Sequence, residues 1–408
     1  MNKTFLVSLY CLMLISCSTA QNNGVPVFPS KSLEVNTQIV TGAARLDLYL
    51  PLLKGKKTGI VANQTSQISG VHLVDTLLHS GILVQKVFAP EHGFRGEAGA
   101  GEHVKDGKDP KTGIPLISLY GKNKKPTSEM LSGLEIVVFD IQDVGARFYT
   151  YISTMHYVME ACADAKIPVL ILDRPNPNGF YIDGPVLDLK YQSFVGMHPI
   201  PVVHGCTVGE LAQMINSEGW LKGGVKCDLT VVPCEKYTHS DLYNLPVAPS
   251  PNLPTMSAVY LYPSLCWFEG TVVSVGRGTD LPFQVIGYPG NTTGRFEFTP
   301  KDIPGVAMDP QHEGKVCKGH HLKEFGDFYI TSSKEIYLEW IVGLYENAPD
   351  KAAFFTNNKH FDQLAGTDAF RKQLQAGMSV SDIRKSWATD IQSYKLIRKK
   401  YLLYPDFE

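Results

Sequence analysis

The sequence has no excess of either charge. Its 38 Lys and Arg stand against 40 Asp and Glu, a formal net charge of -2, and there is no basic tail. Electrostatic capture of a nucleic acid is therefore not expected. No G-x-x-x-x-G-K-[ST] loop, H-E-x-x-H or G-x-S-x-G string occurs. The usual phosphate cradle, zinc-protease helix and serine nucleophile elbow are absent with them. The stretch Gly96-Glu97-Ala98-Gly99-Ala100-Gly101 has its glycines at the wrong spacing for a dinucleotide loop. Low-complexity tracts are missing too, because the 36 glycines and 26 prolines are spread along the chain.

Cysteine and histidine are present without a ligand pattern. Beyond the first 17 residues come Cys162, Cys206, Cys227, Cys234, Cys266 and Cys317, and none forms C-x-x-C. Buried thiols are expected, with a Cys227–Cys234 bridge as the alternative. His103, His204, His320 and His321 have no metal-ligand spacing. We expect neither a metal ion nor an organic cofactor.

At the N-terminus, Lys3 precedes a short, mostly apolar run from Phe5 to Ile15. That run is too short to span a membrane comfortably. It ends in Leu14-Ile15-Ser16-Cys17, a lipobox-like string, so Cys17 is the expected lipidated residue. Cleavage after Ala20 is the plainer alternative. Either way the chain is expected to leave the cytoplasm; on the lipobox reading a lipid anchor is its only hold on the membrane. Residues 18–35 read as a polar tether.

From residue 36 to 205 buried strands alternate with helices. Thr58–Asn63, Leu83–Ala89, Glu135–Asp140 and Pro168–Asp173 read as strands, and His72–Ser80 and Ile152–Lys166 as helices. Continuous apolar strands separated by helices give an α/β fold, a Rossmann-like parallel sheet. Such sheets place their site at the carboxyl ends of the strands, here Asn63, Glu91-His92, Asp140 to Asp143 and Asp173-Arg174. From 206 to 408 the texture changes. Thr207-Val208-Gly209-Glu210 opens a helix as a capping box, and Glu335–Tyr345 and Val380–Lys400 are amphipathic. We read 206–408 as a smaller α+β domain completing the cleft.

Several strings combine polar residues with turn formers: Pro90-Glu91-His92-Gly93, Asp140-Ile141-Gln142-Asp143-Val144-Gly145, Arg147-Phe148-Tyr149-Thr150-Tyr151, Asp173-Arg174-Pro175-Asn176-Pro177 and Gly276-Arg277-Gly278-Thr279. Ser250-Pro251-Asn252-Leu253-Pro254-Thr255 is a further one. In this order they resemble the exo-β-N-acetylmuramidases of bacterial cell-wall recycling, over essentially the whole chain from Lys57 to Pro405. Cys206 departs from the methionine usual in that family, and Tyr237 and His239 from a tryptophan and an arginine.

The resemblance implies a β-linked N-acetylmuramic acid at a non-reducing end as substrate. Glycoside hydrolysis needs a carboxylic acid at the leaving oxygen and a second group as base, nucleophile or orienter. Glu91, with His92 beside it, is the expected general acid. Asp143 is the first choice for the second role, with Glu102 and Glu269 as alternatives. Substrate assistance by the 2-acetamido group and water activation both stay open. The lactyl carboxylate calls for a fixed cation. Arg147 and Arg277 are the expected readers, unless Arg147, Arg174 and Arg277 instead pair with Asp143, Asp173 and Asp280 to stiffen loops. Tyr149 and Tyr151 are expected either to stack on sugar or to fill core, and Asn176, Asn252, Glu269 and Thr279 complete the expected binding set. A non-catalytic glycan-binding lipoprotein and a metal-dependent esterase or deacetylase are the rival readings.

Overall fold

A computed structural model describes residues 35–95 and 106–408. Cys17, the tether up to residue 34, Glu102 and His103 lie outside the described residues. The main sheet takes strands β1 (Lys57–Ala62), β4 (Leu83–Ala89), β5 (Gly107–Lys108), β6 (Pro115–Ser118), β7 (Ile136–Asp140), β8 (Val169–Leu172) and β9 (Leu229–Val232); β2 (Gln67–Ile68) and β3 (Val71–His72) form a separate small hairpin. The spatial order is β5-β6-β4-β1-β7-β8-β9, parallel except for the β5–β6 pair at one edge.

Both faces of this sheet are covered, which is why its central strands read as unbroken apolar runs. Ile60, Ala62, Val87, Val138 and Leu170 pack with Tyr49 and Leu53 of helix α1 (Leu46–Leu53) and with Leu73 and Leu77 of α2 (Leu73–His79). The alternate residues Val61, Phe88, Val137, Phe139 and Ile171 join the opposite core. That core includes Ile152 and Met155 of α4 (Tyr151–Ala165) and Leu211 of α5 (Val208–Ser217). The short α3 (Ser128–Leu131) bridges β6 and β7 in sequence.

The expected division at 205/206 does not match the architecture. α5, with its Thr207–Glu210 capping box, leads into β9, and β9 is the edge strand of the main sheet. The parallel unit therefore runs past 206. The second core also continues without a break into Trp267, Phe361 and Trp387 of the C-terminal part. That part holds α6 (Met256–Leu265), a three-stranded antiparallel sheet of β10 (Val285–Tyr288), β12 (Cys317–His321) and β11 (Phe296–Phe298), and a run of helices ending in Val380–Arg398.

The chain end is fastened back onto the main sheet. Tyr404 donates its hydroxyl to Asp173 Oδ2 at 2.5 Å, and Arg398 donates to Gly205 O at 3.0 and 2.8 Å. All six described cysteines are buried and free, so Cys227 and Cys234 are not bridged. Cys227 sits beside Asn216, while Cys234 faces Asp173 and Tyr404.

Candidate active site

The loop after β4 carries Glu91 and His92. It turns within four residues, closed by Gly93 N–H donating to Pro90 O at 3.1 Å. His92 is buried at φ +70°, a left-handed conformation that costs a non-glycine residue energy and is enriched at functional sites. Glu91 is half-buried, and Thr150 Oγ1 donates to its Oε2 at 3.1 Å. The Tyr120 phenol is raised above its ordinary pKa by burial and by the neighbouring Glu91 carboxylate.

Glu91 lines two neighbouring cavities, which also share Phe148, Thr150, Tyr262 and Arg277. The inner one, about 70 Å³, is lined by Glu91, His92, Tyr149, Tyr151, Asn252 and Arg277, among others. The outer one, about 370 Å³, runs from Glu91 past Tyr120, Lys124 and Ser193 to Glu269, Arg277 and His360. A third, about 400 Å³, is also lined by Glu269 and Arg277, together with Ser274 and residues 306–311. The main sheet supplies Glu91 and the C-terminal part supplies Arg277 and His360, so the cleft needs both.

Tyr149 and Tyr151 form one wall. Their rings meet edge to face with centroids 4.9 Å apart, and both hydroxyls donate to Pro249 O, at 2.8 and 3.2 Å. Arg277 lies between Gly276 and Gly278, both at φ near +80°. A Cβ at Gly276 would lie 2.5 Å from Val285 Cγ2, so the turn has room for glycine only. Thr279 does not line any of these cavities; its hydroxyl donates to Gly276 O at 2.7 Å and fixes the same turn. Arg277 Nε donates to Glu269 Oε1 at 2.5 Å, not to Asp280. Burial opposes the guanidinium's charge, but Glu269 outweighs it and raises the pKa. Asn252 lines the inner cavity, with Nδ2 donating to Val306 O at 2.8 Å.

Three expected site residues sit elsewhere. Asp143 is buried behind the tyrosine wall, where Oδ2 accepts from Gly145 N–H at 2.7 Å and lies 3.9 Å from His204 Nε2. Arg147 is buried and meets no acid among the described residues. It donates to four carbonyls, Pro185 and Ile200 from Nη1 and Leu364 and Ala365 from Nη2, at 2.7–2.9 Å. The last two end the helix Asn358–Ala365, so Arg147 satisfies orphan carbonyls and opposes the negative end of a helix dipole. It is a structural clamp, not a carboxylate reader. Asn176 is buried as well, donating to Cys206 O at 2.8 Å and accepting from Asn178 N–H at 2.8 Å. Arg174 pairs with Asp140 at 2.6 and 2.8 Å, not with Asp173, and ties the ends of β7 and β8.

Burial pushes Asp143 up to about 7 and His204 down to about 3. A carboxyl whose pKa is higher folded than unfolded binds a proton on folding, so it destabilises increasingly as pH rises toward the folded value. Asp143→Asn is therefore expected to gain stability over wild type between about pH 4 and 7, by on the order of a kcal/mol or more. Urea denaturation at pH 5 and pH 8 checks this. A wild-type-minus-variant difference that does not change with pH would show that Asp143 is not held protonated.

Tyr120, Lys124, Ser193 and Tyr262 line the cleft but belong to none of the motif strings, and nothing in their sequence context singled them out.

A parallel α/β unit bearing a carboxylate at the end of a central strand, with its cleft closed by a C-terminal α+β part, is the class of protein defined here. Residues 58–257 match the N-terminal model of the exo-β-N-acetylmuramidase NamZ family and residues 260–404 its C-terminal model. The peptidoglycan β-N-acetylmuramidase NamZ of Bacillus subtilis is 39% identical, across 99% of this chain and 100% of its own. Two DUF1343 family proteins of Bacteroides fragilis share the structure. One has a TM-score of 0.84 at 46% identity, over 91% of this chain and 100% of that one. The other has 0.75 at 29%, over 90% and 99%. The chain belongs to the exo-β-N-acetylmuramidase family.

Proposed function

We infer that the protein is an exo-acting glycoside hydrolase that releases N-acetylmuramic acid from the non-reducing end of peptidoglycan fragments. The observation that carries this reading is the position of Glu91. Its carboxyl group stands where the inner and outer cavities meet, bonded to Thr150. From there it can give a proton to a glycosidic oxygen lying in the outer cavity, as leaving-group departure requires. His92 follows Glu91 in the same strained turn and lines the inner cavity with it. Glu269 is the second carboxylate lining the outer cavity, where its Oε1 accepts from Arg277 Nε at 2.5 Å. It can stabilise developing positive charge on the sugar or orient its acetamido group. Tyr149 and Tyr151 offer an aromatic wall to the ring. Incubating the purified protein with the disaccharide of N-acetylmuramic acid β-linked to N-acetylglucosamine, then mass spectrometry, tests the reading. Both monosaccharides should appear, and an unchanged disaccharide would overturn it.

We also propose that the protein is exported and anchored through a lipid on Cys17, a reading supported by the Leu14-Ile15-Ser16-Cys17 string. Cys17→Ser should move the protein from the membrane fraction to the soluble one. Unchanged fractionation, with no acyl group found on the wild type, would remove the anchor.

A further inference from the structure

The outer cavity holds two side chains of fixed positive charge, and they differ in what answers that charge. Arg277 is bonded to Glu269. Lys124 has no acidic partner among the described residues, and its Nζ lies over the Phe194 ring, 4.0 Å from the centroid. A ring face holds an ammonium in place without neutralising it. All three N–H donors of such a group can still be directed at a ligand.

This corner is built. The neighbouring Lys125 is tied to Glu160 at 2.6 Å and to Asp164 at 3.0 Å, both on α4. The same helix holds Phe194, whose carbonyl accepts from Ser153 Oγ at 2.7 Å and whose ring stacks on Tyr157 with planes 9° apart. One helix thus positions both the lysine and its platform. Beside Phe194, Ser193 lines the same cavity, and its Oγ is buried with no hydrogen-bond partner among the described residues. A buried hydroxyl in that state calls for a partner from outside the chain.

We propose that Lys124, with Ser193, reads the lactyl carboxylate that distinguishes N-acetylmuramic acid from N-acetylglucosamine. An uncompensated ammonium and an unused hydroxyl lining one cavity form a receptor for a carboxylate. Arg277 is a weaker receptor for the same anion, because Glu269 already answers its charge and would repel a second carboxylate. This assignment rests on the muramidase reading above.

The test compares the muramic acid disaccharide with the same disaccharide carrying its lactyl carboxyl as a primary amide. The readout is the acid-to-amide ratio of kcat/KM. Lys124→Met should shrink that ratio by roughly 10- to 100-fold, mostly through KM on the acid, which is the size of one lost charged hydrogen bond. Lys124→Arg should keep most of the ratio, since the charge remains. Arg277→Met should lower activity on both substrates alike. The assignment is overturned if Lys124→Met leaves the ratio unchanged, or if Arg277→Met is the variant that shrinks it. Wild-type protein that cleaves neither disaccharide would instead remove the muramidase reading, and this assignment with it.

Discussion

Replacing Glu91 with glutamine is expected to lower turnover of the muramic acid disaccharide by about 10²–10⁴-fold, the usual worth of general acid catalysis. Glutamine keeps the size of the side chain, and its amide oxygen can still accept from Thr150 Oγ1, which bonds Glu91 at 3.1 Å in the wild type. What disappears is the transferable proton. The melting temperature should therefore hold while kcat falls. The loss should be smaller for a glycoside with an activated phenolate leaving group, because such a group departs with little protonation. Steady-state kinetics on both substrates checks this. Disaccharide turnover within a few-fold of wild type would take Glu91 out of the role.

The second large effect concerns stability. Arg147→Met should destabilise the fold by on the order of 4 kcal/mol or more, because several buried carbonyls lose their donor at once and each costs about 1–3 kcal/mol unsatisfied. Methionine fills much of the volume but donates nothing. The end of the helix Asn358–Ala365 would lose its clamp, and that helix brings His360, Gln363 and Leu364 to the outer cavity. Activity should fall with the folded fraction, and thermal or urea denaturation measures it directly. A variant that melts with wild type but no longer discriminates between sugars would restore Arg147 to the substrate site.

The contrast between these two residues shows what the sequence could tell. Four of the seven main-sheet strands, β1, β4, β7 and β8, were legible because central strands are buried on both faces, so apolar runs such as Ile136–Phe139 stand out. Glu91 was legible because it follows the strand Leu83–Ala89 and because its Pro90-Glu91-His92-Gly93 string resembles the muramidase family. The edge strand Leu229–Val232 was not, since only Val232 is buried, and the domain boundary was misplaced for that reason. Asp143 and Arg147 sit in a string as distinctive as the one bearing Glu91. Sequence marks both as constrained, but not whether the constraint is a ligand or a set of backbone carbonyls up to 218 residues away. Arg277 pairing with Glu269 across eight residues, and not with Asp280, follows from a turn whose shape depends on Gly276 and Gly278. Lys124 and Ser193 were invisible because their meaning comes only from the wall they share.

The cleft is assembled from segments far apart along the chain: Glu91, then the 249–283 region, then 360–364, with Tyr404 closing onto Asp173 last. A polypeptide is made from its N-terminus, so a growing chain carries Glu91 long before it carries the opposite wall. A growing chain therefore lacks part of its cleft until residue 364 has been made. A hydrolase built this way cannot cut while the segment carrying 360–364 is still unmade, because the opposite wall of its cleft does not yet exist.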